Sequence, residues 1–65
     1  MIVYDKFWAR CHALGISQYK LRQEGISPRA ILKLRSGGNL STVTIDQLCR
    51  LLRCQPGDIL EYRET

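Results

Sequence analysis

Two closely spaced sets of helix start and stop signals, between Gly15 and Gly38, constrain the fold more than any other feature of this chain. The first set begins at Ser17, whose side chain can accept a hydrogen bond from the free N–H groups at the start of a helix. It ends at Gly25, because glycine takes the left-handed conformation of a helix C-terminus without steric cost. A short helix is therefore predicted from Gln18 to about Gly25.

The second set of signals follows almost at once. Ser27 is another capping residue, and Pro28 stands at the first helical position, where its missing N–H costs nothing. This helix is predicted to run to about Arg35 and to stop at residues 36–38, Ser-Gly-Gly. The segment thus predicts two short helices joined by a tight turn, with Ile26 filling the junction between them.

The second helix of this pair has two different faces. Ala30, Ile31 and Leu34 share one side at helical spacing and are expected to pack inward. The other side carries the residues expected to be exposed, which are Pro28, Arg29, Leu32 and Lys33. An exposed helix with a Ser-Pro-Arg start and a lysine one turn further on is typical of a recognition helix whose N-terminal end enters a DNA major groove. Arginine can bridge O6 and N7 of guanine, and lysine can reach the same acceptors or a phosphate.

The helix alone leaves open that this is an ordinary solvated face that happens to be basic. The distribution of charge adds to the DNA-binding interpretation. The net charge is +4, but residues 1–38 hold seven Lys and Arg against two acidic residues, whereas residues 39–65 carry a net charge of −1. A positive half-domain attracts phosphate backbones and releases their counterions on binding.

The chain before this segment predicts one longer helix, from about Tyr4 to Leu14. Its apolar residues fall at helical spacing and are Tyr4, Phe7, Trp8, Cys11 and Leu14. Phe7 and Trp8 are expected to be the largest core side chains, and residues 1–3 to be a frayed lead-in. In the next helix, Tyr19 and Leu21 are the candidates for the core.

The chain after the segment predicts a loop and two further helices. The loop, residues 36–41, could donate hydrogen bonds to phosphate oxygens or serve as a plain connector, and both interpretations stay open. A fourth helix is predicted from a cap at Ser41 or Thr42 to about Arg53, with an ion pair between Asp46 and Arg50.

A short fifth helix is predicted to start at Pro56, with Ile59, Leu60 and Tyr62 as its apolar residues and residues 63–65 as a polar tail. We therefore expect one all-α domain, residues 1–65, with five helices and no strand.

Several segments resemble the Cro/Xre helix-turn-helix family of bacterial and phage transcriptional regulators, especially its small single-domain members. They are YDKFW at residues 4–8, GISQYKL leading into GISPRAILKLRSG at residues 15–37, and STVTIDQLCRLLRCQPGDILEY at residues 41–62. The resemblance implies a compact five-helix, lambda-repressor-like DNA-binding domain with its helix-turn-helix at helices 2 and 3. The chain departs from the family pattern at Lys20 and Leu21, which predicts a shortened or re-registered second helix.

The resemblance also implies which residues contact double-stranded DNA. The base-facing positions are Ser27, Pro28, Arg29, Leu32 and Lys33, with Leu32 against a thymine methyl group. The expected contacts to the DNA backbone are Gln18, Lys20, Arg22, Arg35, Ser36, Gly37 and Asn39. Gln18 would contact a phosphate and help to orient the recognition helix.

Other classes of function have weaker support. The three cysteines, Cys11, Cys49 and Cys54, lack the paired spacing of zinc modules, so no metal site and no cofactor are expected. Cys54, at a helix end, is expected to be partly exposed. With one histidine, His12, and no phosphate loop, the chain is not expected to be an enzyme.

The start of the chain, residues 1–6, lacks the features of a signal peptide, and no apolar run could span a bilayer, so a cytoplasmic location is expected. The expected function is that of a DNA-binding regulator, a repressor or autoregulator, that acts as a homodimer on DNA and need not be a dimer in solution. Two alternatives remain, a protein-interaction or antitoxin-like module with the same fold, and a metal-dependent mini-domain. No membrane contact and no small-molecule ligand are expected.

Overall fold

Four α-helices make up most of the part of the chain that the computed structural model describes, residues 1–64. A 3₁₀ turn and a two-stranded antiparallel sheet complete this part. In chain order the elements are β1 (Ile2–Val3), α1 (Asp5–Leu14), α2 (Gln18–Gln23), α3 (Pro28–Ser36), α4 (Thr42–Leu52), the 3₁₀ turn (Pro56–Asp58) and β2 (Glu61–Tyr62). The single domain predicted for residues 1–65 includes Thr65, which lies outside the described residues.

Serine caps determine where three of the helices begin. The side chains of Ser17, Ser27 and Ser41 each accept a hydrogen bond from the backbone N–H three residues later, at 3.1–3.2 Å. Each bond satisfies one of the free N–H groups of a helix start. The capping roles predicted for Ser17 and Ser27 are confirmed, and of the two candidates at the fourth helix the cap is Ser41.

The turn between α2 and α3 depends on Gly25, whose φ of +94° lies in the left-handed region that favours glycine. Ile26 follows it and is buried, as predicted for the residue that fills this junction. The helix before the turn, α2, is short and has six residues.

One hydrophobic core collects side chains from every helix. Its buried members are Tyr4, Phe7, Cys11, Leu21, Ile26, Ala30, Ile31, Leu34, Leu48, Leu52 and Ile59. The inward face predicted for the recognition helix is thereby confirmed. The ion pair between Asp46 and Arg50 is present as well, on the exposed side of α4.

Three of the expected core residues lie differently. Tyr19 is 69% exposed, because it stands two positions from the buried Leu21, which is about 200° around a helix. Leu14, the last residue of α1, is exposed too. Trp8 packs against the core but is only partly buried, beside Phe7, which is fully buried. Its indole ring has a polar N–H that needs a hydrogen-bond partner, unlike the ring of Phe7.

The fifth helix and the frayed start of the chain were wrong predictions, and they have one physical cause. The C-terminal segment makes only the 3₁₀ turn and then pairs with the N-terminus, with Ile2 opposite Tyr62 and Val3 opposite Glu61. A helix of a few residues is marginal by itself, so pairing with a distant strand prevails over local helical preference. The expectation of no strand was therefore wrong, although the chain is mainly helical.

One end of the sheet is anchored by hydrogen bonds between Met1 and Arg63. The N-terminal ammonium group and the carbonyl oxygen of Met1 bond to the backbone of Arg63 at 2.7 and 2.8 Å. The Arg63 side chain pairs with Asp5 and Glu61. Among residues 1–64, no helix combines the length and the apolar character needed to cross a membrane.

Candidate nucleic-acid interface

Helix α3 presents a polar and basic face on the side away from the core. Ala30, Ile31 and Leu34 are buried, while Arg29 and Leu32 point away from them and are exposed, Leu32 by 61%. Ser27 and Pro28, at the start of the helix, are exposed as well. The expected base-facing residues thus lie on the outer side or at the N-terminal tip of one helix, and Lys33 differs from the others in being half-buried.

Lys33 is half-buried, because the turn after α3 covers the aliphatic part of its side chain. A Cβ atom added at Gly38 would lie 2.9 Å from Cγ of Lys33 and 3.1 Å from its Cβ, closer than side-chain atoms normally approach. The carbonyl oxygen of Lys33 accepts hydrogen bonds from the backbone N–H groups of Gly37 and Gly38, at 2.8 and 2.9 Å. Glycine at position 38 therefore lets the turn lie directly on the stem of Lys33.

A shallow groove between α2 and α3 joins five of the predicted DNA-contacting residues. Gln18 and Arg22 lie one helical turn apart on α2 and form one wall. The α3 residues that line the groove are Pro28, Ile31, Leu32 and Arg35. Arg22 and Arg35 thus lie in one groove beside the exposed face of α3, where they can meet an anion.

The remaining predicted backbone contacts lie outside this groove. Lys20 is on another side of α2, where its ammonium group is 3.7 Å from the carboxylate of Glu24. Ser36 and Gly37 line a different depression, next to residues 1–5. Asn39 is exposed in the loop before α4.

Two side chains at the start of α1, those of its N-cap Tyr4 and of Trp8, hold the C-terminal end of α3 and the turn that follows it. The hydroxyl group of Tyr4 donates a 2.7 Å hydrogen bond to the carbonyl oxygen of Gly38, and the indole N–H of Trp8 donates one of 3.1 Å to that of Leu34. Burial raises the pKa of the Tyr4 phenol, which stays protonated as a donor at neutral pH. Sequence reasoning missed both bonds. The available signal was the spacing of four residues between two aromatic side chains with polar tips, which usually find a partner when they are buried.

The positive charge of this surface is not neutralised within the described chain. Across residues 1–64, the basic side chains in ion pairs are those of Lys20, Arg50 and Arg63. The four cations on or beside the outer face of α3 have no such partner, and they are Arg22, Arg29, Lys33 and Arg35. A concentrated positive field of this kind attracts a polyanion.

Cys11 is buried, Cys49 and Cys54 are partly buried, and all three are free thiols. In the described part of the chain, no three His, Cys, Asp or Glu side chains come together in a way that could hold a metal ion. The single histidine, His12, is exposed on α1.

Comparison with known proteins agrees with the geometry. The sequence model of the family described as the Cro/C1-type HTH DNA-binding domain matches residues 6–64. The chain is 47% identical over 34 residues to an uncharacterized HTH-type transcriptional regulator, YozG, of Bacillus subtilis (strain 168). That match covers 52% of this chain and only 40% of the length of YozG.

The fold is similar to that of a solved structure, the transcriptional regulator VanUg in its crystal form II. The TM-score is 0.89 with 28% sequence identity, and the match covers 98% of this chain and 87% of that chain. The resemblance noted from the sequence is thus confirmed both by the family match and by the fold. The chain belongs to the Cro/C1-type family of helix-turn-helix DNA-binding domains.

Proposed function

We propose that this protein is a sequence-specific transcriptional regulator that inserts α3 into the major groove of double-stranded DNA. The observation that carries the proposal is the outer face of α3, where Arg29 and Leu32 are exposed at the N-terminal half of the helix and Arg22 and Arg35 line the groove beside them. An α-helix fits into the major groove, where each base pair presents a distinct pattern of donors and acceptors. The two relatives described above are both named as transcriptional regulators, which supports the same role.

The residues proposed to read bases differ in the chemistry of their side chains. Arg29 is exposed at the tip of α3 and has the fork geometry to bind O6 and N7 of guanine. Leu32, one turn later on the same face, offers an apolar surface for a thymine methyl group. Ser27 and Pro28 bring the start of the helix close to the base edges, and Lys33 reaches past Gly38 toward a base or a phosphate.

The residues proposed to hold the DNA backbone lie around this face. Gln18 and Arg22 on α2 and Arg35 on α3 line one groove beside the inserted helix and contact phosphates there. Ser36, Gly37 and Asn39 supply further hydrogen bonds from the turn and loop after α3. We leave Lys20 out of this set, because it lies on another side of α2 and is paired with Glu24.

The proposed mode of action is binding, not catalysis. Occupancy of an operator blocks or recruits transcription machinery, and repression or autoregulation follows when the operator overlaps the promoter. A single α3 contacts few base pairs, so we propose that two copies bind DNA as a homodimer with half-sites about one helical turn apart.

Selection of bound sequences from a random duplex library, at about 150 mM salt, tests this proposal because non-specific phosphate binding is weak there. We expect a short enriched motif, arranged as an inverted repeat if the protein binds as a dimer. Arg50→Ala is the matched control, since it also removes an exposed arginine but on α4. It should recover the same motif. A folded wild-type protein that enriches no motif would favour the protein-interaction role instead.

A further inference from the structure

Two cysteines meet where α4 ends. Arg53, directly after the helix, has a φ of +51°, a left-handed conformation that turns the chain back on itself. As a result, the backbone N–H of Cys54 donates a 3.1 Å hydrogen bond to the carbonyl oxygen of Cys49. A bond of this span is the signature of a helix end in which the side chains of the two bonded residues contact each other.

Proteins usually place two apolar residues at these positions, and this chain places two thiols there. The Cys49 thiol lies close enough to Cys54 to act on its ionisation. The pKa of Cys54 is raised first by burial and then by the neighbouring Cys49, while the guanidinium of Arg10 acts in the opposite direction. The thiols are therefore neighbours in the folded protein.

Both cysteines line one groove at the surface of the protein. Cys49 and Cys54 are only partly buried, and they line a groove whose walls include Ile45, Pro56 and Leu60. The third cysteine, Cys11, also lies near Cys54, but it is in the core with 2% of its surface exposed. The three cysteines are thus one core residue, Cys11, and one partly exposed pair.

We propose that Cys49 and Cys54 form a dithiol site, which a small-molecule disulfide such as oxidised glutathione converts into an intramolecular disulfide. One protein thiolate attacks the small disulfide, forms a mixed disulfide and releases one thiolate of the small molecule. The second protein thiolate then attacks the sulfur of its neighbour, closes the protein disulfide and releases the other small thiolate.

The exchange is balanced. The two protein thiols lose two protons and two electrons, and the small disulfide gains them to become two small thiols. The first step also favours the second, because a sulfur in the mixed disulfide has no charge and no longer opposes ionisation of its neighbour. The finished bridge spans residues 49–54 and holds the turn at Arg53 closed.

Peptide mapping tests the site directly, because each cysteine falls on a different tryptic peptide. Cleavage after Arg50 and Arg53 places Cys49 in residues 36–50 and Cys54 in residues 54–63, while Cys11 begins the peptide of residues 11–20. The folded full chain is incubated with oxidised glutathione, denatured, alkylated and digested without reduction. We expect two of the three alkylatable thiols to be lost, peptide 36–50 to be linked to peptide 54–63, and Cys11 to be alkylated.

Two serine variants show that the neighbouring thiol closes the bridge. In Cys54→Ser, we expect Cys49 to stop at the mixed disulfide with glutathione, and in Cys11→Ser we expect the same bridge as in the wild type. Circular dichroism before oxidation confirms that each variant keeps its helices. A bridge to Cys11, a disulfide between two chains, a persistent mixed disulfide in the wild type, or three unreacted thiols would each overturn the proposal.

Discussion

The indole N–H of Trp8 donates a 3.1 Å hydrogen bond to the carbonyl oxygen of Leu34, and this bond fixes α1 against the end of α3. The carbonyl groups in the last turn of a helix have no partner within the helix and need one from elsewhere. One helical turn before Trp8, Tyr4 donates a hydrogen bond to the carbonyl oxygen of Gly38, in the turn that follows α3. The helix proposed to read DNA is thus held at its C-terminal end, while its N-terminal tip is free to contact a ligand.

Replacing Trp8 by phenylalanine tests the importance of that bond. We expect Trp8→Phe to lower the free energy of unfolding by about 1–3 kcal/mol, because it leaves the partly buried carbonyl group of Leu34 without a partner. Urea denaturation followed by circular dichroism gives the value. Tyr19→Phe is the control, because it removes a hydrogen bond to Gln23 from a residue that is mostly exposed. Its effect should stay within about 0.5 kcal/mol, and an equal loss in both variants would contradict the role of Trp8.

The two glycines after α3 should respond differently to alanine, because they meet different constraints. A Cβ atom added at Gly37 would meet no heavy atom within 4 Å. The backbone φ of Gly37 is +82°, however, and this conformation would cost alanine about 1 kcal/mol of stability. A Cβ atom at Gly38 instead collides with the stem of Lys33. We expect Gly37→Ala mainly to reduce stability, and Gly38→Ala mainly to weaken binding to the selected DNA sequence by displacing Lys33.

Denaturation curves and fluorescence anisotropy with the selected duplex separate these two effects. Gly37→Ala should keep near wild-type affinity at a temperature where it is fully folded. If Gly38→Ala also binds the selected duplex with near wild-type affinity, then either the position of Lys33 does not depend on the turn or Lys33 does not contact DNA.

Local signals explain which parts of the fold could be predicted from the sequence. The serine at each helix start and the glycine in the tight turn act within a few residues, so the bounds of the helix-turn-helix follow from them. The pairing of Ile2 with Tyr62 joins the two ends of the described chain and has no local signal. For the same reason the hydrogen bond between Trp8 and Leu34, which crosses 26 residues, could not be read from periodicity. In the candidate site, the outer face of α3 follows from helical spacing. The ion pair between Lys20 and Glu24 is also local, because the two residues are four positions apart on α2.

Arg29 is the residue on which base recognition depends most in the proposed complex. We expect Arg29→Ala to weaken binding to the selected sequence by about 1–3 kcal/mol and to relax the preference at one base position. Binding to unrelated DNA should change much less. Arg50→Ala, on α4, should change neither quantity. An unchanged preference at every position in Arg29→Ala would remove this residue from the set that reads bases.

Arg22 and Lys20 provide a matched pair for the contacts to phosphate, since both are basic residues on the same short helix. Arg22 lines the groove beside α3, whereas Lys20 lies on another side and pairs with Glu24. We expect Arg22→Gln to reduce the slope of log affinity against log salt concentration by about 1, because one fewer phosphate is neutralised. Lys20→Gln should leave the slope unchanged. Equal changes in both variants would show that the orientation of α2 toward DNA differs from the one proposed.

Stability should fall in alkaline solution, because burial opposes the ionisation of Cys11. Burial is the main cause that raises the pKa of this thiol above its ordinary value of 9.0, and the nearby Cys54 adds to the effect. The raised pKa means that the folded protein keeps the proton when the unfolded chain has already lost it. The stabilising contribution is thus complete below about pH 9 and decreases as the pH rises from there through the pKa of the folded state.

Urea denaturation in a reducing buffer, at pH values from about 8 to about 10.5, measures this decrease. Cys54 and Tyr4 also have raised pKa values, so they act in the same direction, Tyr4 only above its ordinary pKa of 10.0. We expect Cys11→Ala to be less stable than the wild type at pH 8 but to lose less stability over this range, since it has no thiol to ionise at that position. If the two proteins lost the same amount, the Cys11 thiol would ionise as readily in the folded protein as in the unfolded chain, and its burial would have no electrostatic consequence.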